Sequence, residues 1–182
     1  MIALYVILGV VVLLGLWLMS SYNKLIRLRE MVKNAMGQIA ANVESRWDAL
    51  KSLIDATKKY SAHEAETLEK VIQARGSVNS SSSVKDIEAD DNMFTQALSR
   101  LAVVVESYPE LKANTVYLNT MDKIDSYEQD VKNSRMIYND TVTRFNRSML
   151  TFPIVLVSRM LGFHEYQYFQ NTESKANPPS WD

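Results

Sequence analysis

Residues Ile2 to Met19 are eighteen uncharged and mostly apolar residues, and no proline interrupts the chain from there to Tyr60. As a helix, eighteen residues cover roughly 27 Å, close to the hydrocarbon thickness of a bilayer at about 30 Å. The segment predicts a transmembrane anchor over residues 1–20, with Trp17 and Tyr22 suited to the interface. A cleaved signal peptide is the alternative, and it calls for a basic n-region and small residues before a cleavage point. Only the α-amino group is positive ahead of Ile2, Leu18 and Met19 suit cleavage poorly, and no cysteine is present to accept a lipid. Lys24, Arg27, Arg29 and Lys33 follow the span, while no Lys or Arg precedes it. That asymmetry predicts a single-pass cell-membrane protein with its N-terminus outside and its bulk in the cytoplasm. The same cations can attract anionic lipid, although topology alone accounts for them.

Beyond the anchor, about 160 residues suit one domain. Twenty basic residues against twenty-one acidic ones give a net charge of −1, so no global field draws nucleic acid, and no basic patch is interleaved with aromatics. Without cysteine there are no disulfides and no thiolate metal ligands. Three of the four prolines lie after residue 150, leaving long segments in which only a helical period appears.

Leu25, Leu28, Val32, Ala35, Ile39, Val43, Trp47, Leu50, Leu53, Thr57 and Tyr60 recur in steps of three and four along one helix. Gly37 interrupts that helix at a cost of about 1 kcal/mol relative to Ala, which suggests a close helix contact there. Ser61 and Glu64 have capping-box spacing and mark a turn, with a kinked continuous helix to Arg75 as the competing reading. Gly76 ends this part, and 77–83 reads as a flexible linker. Ser83 and Asp86 repeat the capping pattern ahead of a stripe from Ile87 through Phe94 to Val105. Pro109 favours the first turn of a new helix, whose stripe runs from Leu111 through Met121, Glu128, Arg135, Tyr138 and Phe145 to Phe152. Pro153 ends it.

These segments predict an all-α protein: a transmembrane helix continuous with an antiparallel up-and-down four-helix bundle over 21–152, or alternatively a long kinked helical hairpin. An apolar and aromatic tail over 153–170 and a disordered C-terminus over 171–182 follow. An even number of passes returns Phe152 to the membrane, making Phe152, Phe163, Tyr168 and Phe169 candidates for interfacial seating. The alternative is that the tail packs on the bundle. Matching the ends of the two long helices puts Arg46 level with Glu128, so an ion pair between them is expected across the bundle, with Arg135 near Gly37 and Gln38.

No motif carries catalytic chemistry. His63-Glu64-Ala65-Glu66-Thr67 lacks the second histidine of H-E-x-x-H, and His164-Glu165 falls at the opposite end of the antiparallel arrangement. There is no Gly-rich phosphate loop and no G-x-S-x-G elbow. No catalytic residue, cofactor or metal ligand is assigned.

In combination, several short pieces resemble the LemA family of bacterial membrane-anchored helical proteins. They include Tyr22-Asn23 with Leu28-Arg29, Asn34-Ala35, Arg46 with Asp48-Ala49-Leu50, Lys58, Tyr60 and His63-Glu64, and Ala74-Arg75. Glu106-Ser107-Tyr108-Pro109-Glu110-Leu111-Lys112-Ala113-Asn114, Glu128, Arg135, Tyr138-Asn139-Asp140, Asn146, Phe152-Pro153, Gly162-Phe163 and Tyr168-Phe169 complete the set. The resemblance implies an N-terminal anchor, an up-and-down bundle and no established enzyme activity. Where the family has D-L-I-P-N-L and K-G-Y, this chain has Asp48-Ala49-Leu50-Lys51-Ser52-Leu53 and Lys58-Lys59-Tyr60, so a straighter and longer first helix is expected. Some relatives neighbour genes for membrane metalloproteases, which suggests membrane-protein quality control or envelope stress. The expected function is a membrane-tethered, non-catalytic scaffold or adaptor for a protein partner or a second copy. The alternatives are a lipid-surface-binding or membrane-shaping protein and, less favoured, a metal-dependent hydrolase using His63 and Glu64.

Overall fold

The computed structural model describes residues 1–60, 62–73 and 75–170, with 62–65, 67 and 71 through their backbone alone. Its helices are α1 (Ile2–Thr57), α2 (Ala62–Gln73), α3 (Val84–Glu106), α4 (Pro109–Lys112), α5 (Thr115–Leu150) and α6 (Ile154–Met160). No strand occurs among the described residues, and the protein is all-α as its periodicity predicts. The expected cap at Ser61 and the tail at 171–182 fall outside the described residues. The chain divides into two compact units: residues 29–138, and residues 1–28 together with 139 onward.

In the unit of residues 29–138, side-chain pairs fix the direction of each helix. Lys58 reaches Glu69 and Arg75 reaches Glu44, so α2 runs back along α1. Ser80 lies 3.5 Å from where Gly37 would carry a Cβ, and Trp47 meets Phe94. Residue numbers therefore rise together, and α3 is parallel to α1. The rings of Tyr60 and Tyr108 approach to 6.3 Å at the far corner, after which Asn42 meets Ser134 and Arg46 meets Glu128, so α5 descends. The result is the up-down-up-down order that short connections favour. Ile39, Val43, Trp47, Leu50 and Ile54 of α1 face Leu68, Ile87, Phe94, Leu101, Ile124 and Val131 in the core, all at most 2% exposed. Each fully buried aliphatic side chain contributes about 1.5–3 kcal/mol relative to its exposed state.

Four local features refine or differ from the sequence reading. First, α1 stops at Thr57, in keeping with the turn read before Ser61 and not with the competing continuous helix to Arg75, and without the lengthening suggested by lysine in place of glycine at residue 59. The turn closes through i→i+3 bonds, Lys58 N–H to Asp55 carbonyl and Tyr60 N–H to Thr57 carbonyl. No non-glycine residue takes a positive φ among the described residues, so the turn needs no left-handed glycine. Second, 77–83 is not featureless: Asn79 Oδ1 accepts from Ser81 N–H, and Ser82 Oγ accepts from Asn79 N–H. These are the local side-chain-to-backbone bonds that let Asn and Ser build turns. Third, Gly37 makes no close helix contact, because its neighbour is Ser80 in that turn at ordinary van der Waals range. Fourth, the last long helix is split. Pro109 opens α4, Leu111 is buried at the corner, and Asn114 Oδ1 accepts from Val116 N–H to start α5. Ser83 and Asp86 do form a reciprocal capping box at the start of α3.

In the other unit, the side chains of residues 1–16 are all exposed. Trp17 is partly covered, Ser21 is 5% exposed and Leu25 is fully buried. By length and composition the first part of α1 can cross a membrane. After Leu150 the chain turns through Phe152-Pro153 into α6, and Ser158 Oγ donates to the Met149 carbonyl at 2.9 Å. α6 ends in a Schellman motif. Gly162 takes φ 69°, its N–H donates to the Arg159 carbonyl, and Phe163 N–H donates to the Ser158 carbonyl. Only glycine adopts that left-handed cap without a steric cost.

Candidate functional site

The core of the 29–138 unit holds charge. Arg46 lies on the apolar face of α1 beside Trp47 and is 2% exposed. Its Nη1 donates to Glu128 Oε1 at 2.8 Å, and its Nη2 donates to Asp90 Oδ2 and Asp91 Oδ1, each at 3.1 Å. Arg135 reaches the other oxygen of Asp91. Trp47 Nε1 donates to both oxygens of Asp90, at 3.0 and 2.9 Å, and so gives that buried carboxylate a second donor. The guanidinium of Arg46 lies 4.1 Å from the centroid of Phe94, whose ring meets Trp47 edge-on at 5.2 Å. Arg75, held by Glu44, covers Trp47 at 5.3 Å. Cations over both rings add attraction to the ring faces. Next to this cluster, Asn42 Nδ2 donates to Ser134 Oγ at 2.8 Å and ties α1 to α5 again.

Three carboxylates converge here, but on a guanidinium: Arg46 takes the cationic position that a metal would need. Among the described residues no group of three or more His, Asp or Glu is arranged to hold a metal. A planar fork satisfying three acids on two different helices orders the bundle geometrically. Buried charge fixes register more reliably than it adds stability.

The structure thus brings Arg46 and Glu128 together and joins Arg135 to them through Asp91. Periodicity alone missed Asp90 and Asp91, which look like ordinary surface charge. The available signal was that Asp90 lies three after Ile87 and four before Phe94, on the apolar stripe of α3. The side chains of His63 and Glu64 are outside those described, and His164 is exposed in the other unit.

A second polar feature fastens the tail. Asn139 donates from Nδ2 to the Phe169 carbonyl at 3.0 Å and accepts the Phe169 N–H at 2.9 Å. Asn146 does the same with Tyr166, at 3.0 Å in both directions. Two helical turns separate the asparagines by about 10.5 Å, and three extended residues span about 10 Å. The spacings match, so α5 holds residues 163–170 as an antiparallel strap. Phe163 sits against Tyr22 at 6.4 Å and Phe145 at 6.3 Å, and Tyr166 meets Phe145 at 5.3 Å.

The strap corrects the expected membrane-facing residues. Phe169 is 5% exposed and packed on the protein, which leaves little of its ring to offer to lipid. Phe163 is half-buried between rings, Tyr168 is 45% exposed and Phe152 is 78% exposed. Lys24 and Arg27 are exposed, Tyr22 is 43% exposed, and Arg29 lies 3.8 Å from Glu30.

The LemA family model matches residues 35–182, which takes in both the charge cluster and the strap. The chain belongs to the LemA family. It is 28% identical over 158 residues to "Protein LemA" of Metamycoplasma hominis, covering 83% of this chain and 69% of that protein. "Magnetosome protein MamQ 2" of Paramagnetospirillum magneticum is 28% identical over 88 residues, covering 48% of this chain and 32% of its own length. "Magnetosome protein MamQ" of Magnetospirillum gryphiswaldense is 25% identical over 88 residues, with the same coverage. This LemA-family chain therefore spans about a third of the MamQ proteins it matches. Its Tyr-Pro motif at 108–109 forms the α3–α5 corner, and Asn139 and Asn146 are the strap's fasteners.

Proposed function

We propose that this LemA-family protein is a membrane-tethered, non-catalytic scaffold or adaptor that binds a protein partner or a second copy through its bundle. The observation that carries this reading is that the inward-facing charges satisfy one another, with Arg46 and Arg135 occupied by Asp90, Asp91 and Glu128. Such an interior supports shape and offers no reactive group. Apolar side chains face outward on the same unit, among them Val103 at 66%, Val116 at 60% and Met136 at 62% exposure. Outward apolar side chains are what a docking helix face supplies. None of the three relatives' printed names describes a reaction. The basic residues after the span favour an N-terminus outside and a cytoplasmic bundle, and the family resemblance favours a place in membrane-protein quality control or envelope stress.

Photo-crosslinkers placed singly at Val103 and Met136 of the full chain in its native membrane test the reading. A discrete adduct with one protein or a second copy, weakened by charge placed at the neighbouring exposed position, is expected. Monomer alone at every position would refute it.

A further inference from the structure

Leu156 and Met160 lie one turn apart on α6 and are 60% and 70% exposed, with Phe152 at 78% and Leu161 at 46% flanking them. The opposite side of α6 is occupied: Val157 and Ser158 are each 2% exposed, and Ser158 is bonded to Met149. The short helix is therefore apolar outward as well as inward, a pattern that water does not favour and lipid does.

Within this unit its position is bounded. Three residues at most about 3.6 Å each separate Met160 from Phe163, and the Phe163 ring lies 6.4 Å from Tyr22. Along α1, protein cover reaches Ser21 and ends at Trp17, beyond which every side chain is exposed. The outward face of α6 thus belongs to the end of the unit where the bare apolar segment begins. Arg159 is exposed beside it, on a stem long enough to return its charge to the headgroups.

We propose that α6 is a foot seated in the bilayer interface, with Phe152, Leu156, Met160 and Leu161 in the upper acyl region and Arg159 at headgroup level. This rests on the tethered reading and adds a second, non-spanning membrane contact to it. The foot is the first part of the apolar tail expected near the membrane, while Phe169 at its other end is held by the strap.

The chain contains no cysteine, so single nitroxide-labelled cysteines report cleanly on the full protein in phosphatidylcholine–phosphatidylglycerol vesicles. Leu156→Cys and Met160→Cys are compared with Leu8→Cys in the span and Ser126→Cys on the exposed side of α5. Accessibility is read to oxygen, which concentrates in lipid, and to an aqueous nickel chelate. The expected result is an oxygen-to-nickel ratio at 156 and 160 that approaches that at 8 and is several-fold above that at 126. Nickel access at 156 and 160 equal to that at 126 overturns the foot while the lipid signal at 8 leaves the tether standing. Shielding from both reagents assigns the face to protein and overturns it too. Nickel access at 8 overturns tether and foot together.

Discussion

Replacing Arg46 by methionine removes the guanidinium and keeps most of the side-chain volume. Asp90, 5% exposed, then retains only the Trp47 indole N–H as a partner. Asp91 is 24% exposed and keeps Arg135, and Glu128 is 36% exposed and can turn to water. One stranded carboxylate thus sets the scale, and removing one member of a buried pair costs about 3–5 kcal/mol. Loss of the cation over Phe94 falls within that range, since such contacts reach about 2 kcal/mol when desolvated. Against a typical stability of about 5–15 kcal/mol, the change is large. Arg46→Lys keeps the charge but places one nitrogen where two are needed, and a loss of about 1–3 kcal/mol is expected. Combining Arg46→Met with Asp90→Asn removes the stranded charge, so the double variant is expected to recover about 0.5–3 kcal/mol of coupling. Denaturant titration of the full chain in mild detergent, followed by helical circular dichroism, measures each value, with a constant slope required for comparison. The reasoning fails if Arg46→Met costs less than about 1 kcal/mol, or if the single changes simply add. Asp90→Asn and Glu128→Gln alone keep the test open should Arg46→Met not fold.

Asn139→Ala and Asn146→Ala each remove two bonds to the strap, and hydrogen exchange at the Phe169 and Tyr166 amides respectively is expected to accelerate; unchanged protection would refute the clamp. Gly37→Ala is expected to stabilise the bundle by up to about 1 kcal/mol, because the new methyl meets Ser80 at 3.5 Å and helix propensity improves; a lower melting temperature would show that the turn cannot accommodate it. Hydrogen bonds from the Ser83 backbone and hydroxyl lower the Asp86 pKa below its ordinary 3.8. A depressed folded-state pKa means that this contribution is complete above the ordinary value and is lost as pH falls through the folded value. Acid titration of Asp86→Asn is therefore expected to show a shallower stability loss below about pH 4 than the parent, and parallel curves would refute it. Gly162→Ala forces an alanine to φ 69° and is expected to cost about 1–2 kcal/mol; an unchanged unfolding midpoint would refute the Schellman cap.

The helices were legible because their apolar stripes are long. From Leu25 to Thr57 the period alone selects the buried face, and Pro109 and the Ser83–Asp86 pair mark their own boundaries by local chemistry. Arg46 and Glu128 could be placed level with each other because antiparallel helices of matched ends have a simple register. Asp90 and Asp91 could not, since a carboxylate on a stripe declares itself only when the facing helix supplies an arginine. The turn at 58–60 is marked only from its far side, by the Ser61–Glu64 spacing: it closes through backbone bonds open to any residue, so neither lysine announces it and a continuous helix stays in competition. The strap depends on two asparagines seven residues apart, a signal readable only once an extended partner of the right pitch is known.

Those two asparagines grip main-chain atoms and no side chain of the strap. The instruction for where residues 163–170 lie is consequently written in α5, and the strap's own alphabet is free at Glu165, Gln167 and Tyr168, which face outward. A substitution library across those three positions should keep its attachment, while a single change at Asn139 or Asn146 should not. Recognition and display are divided between two segments: the helix supplies the fastening, and the strap is left to vary what it shows.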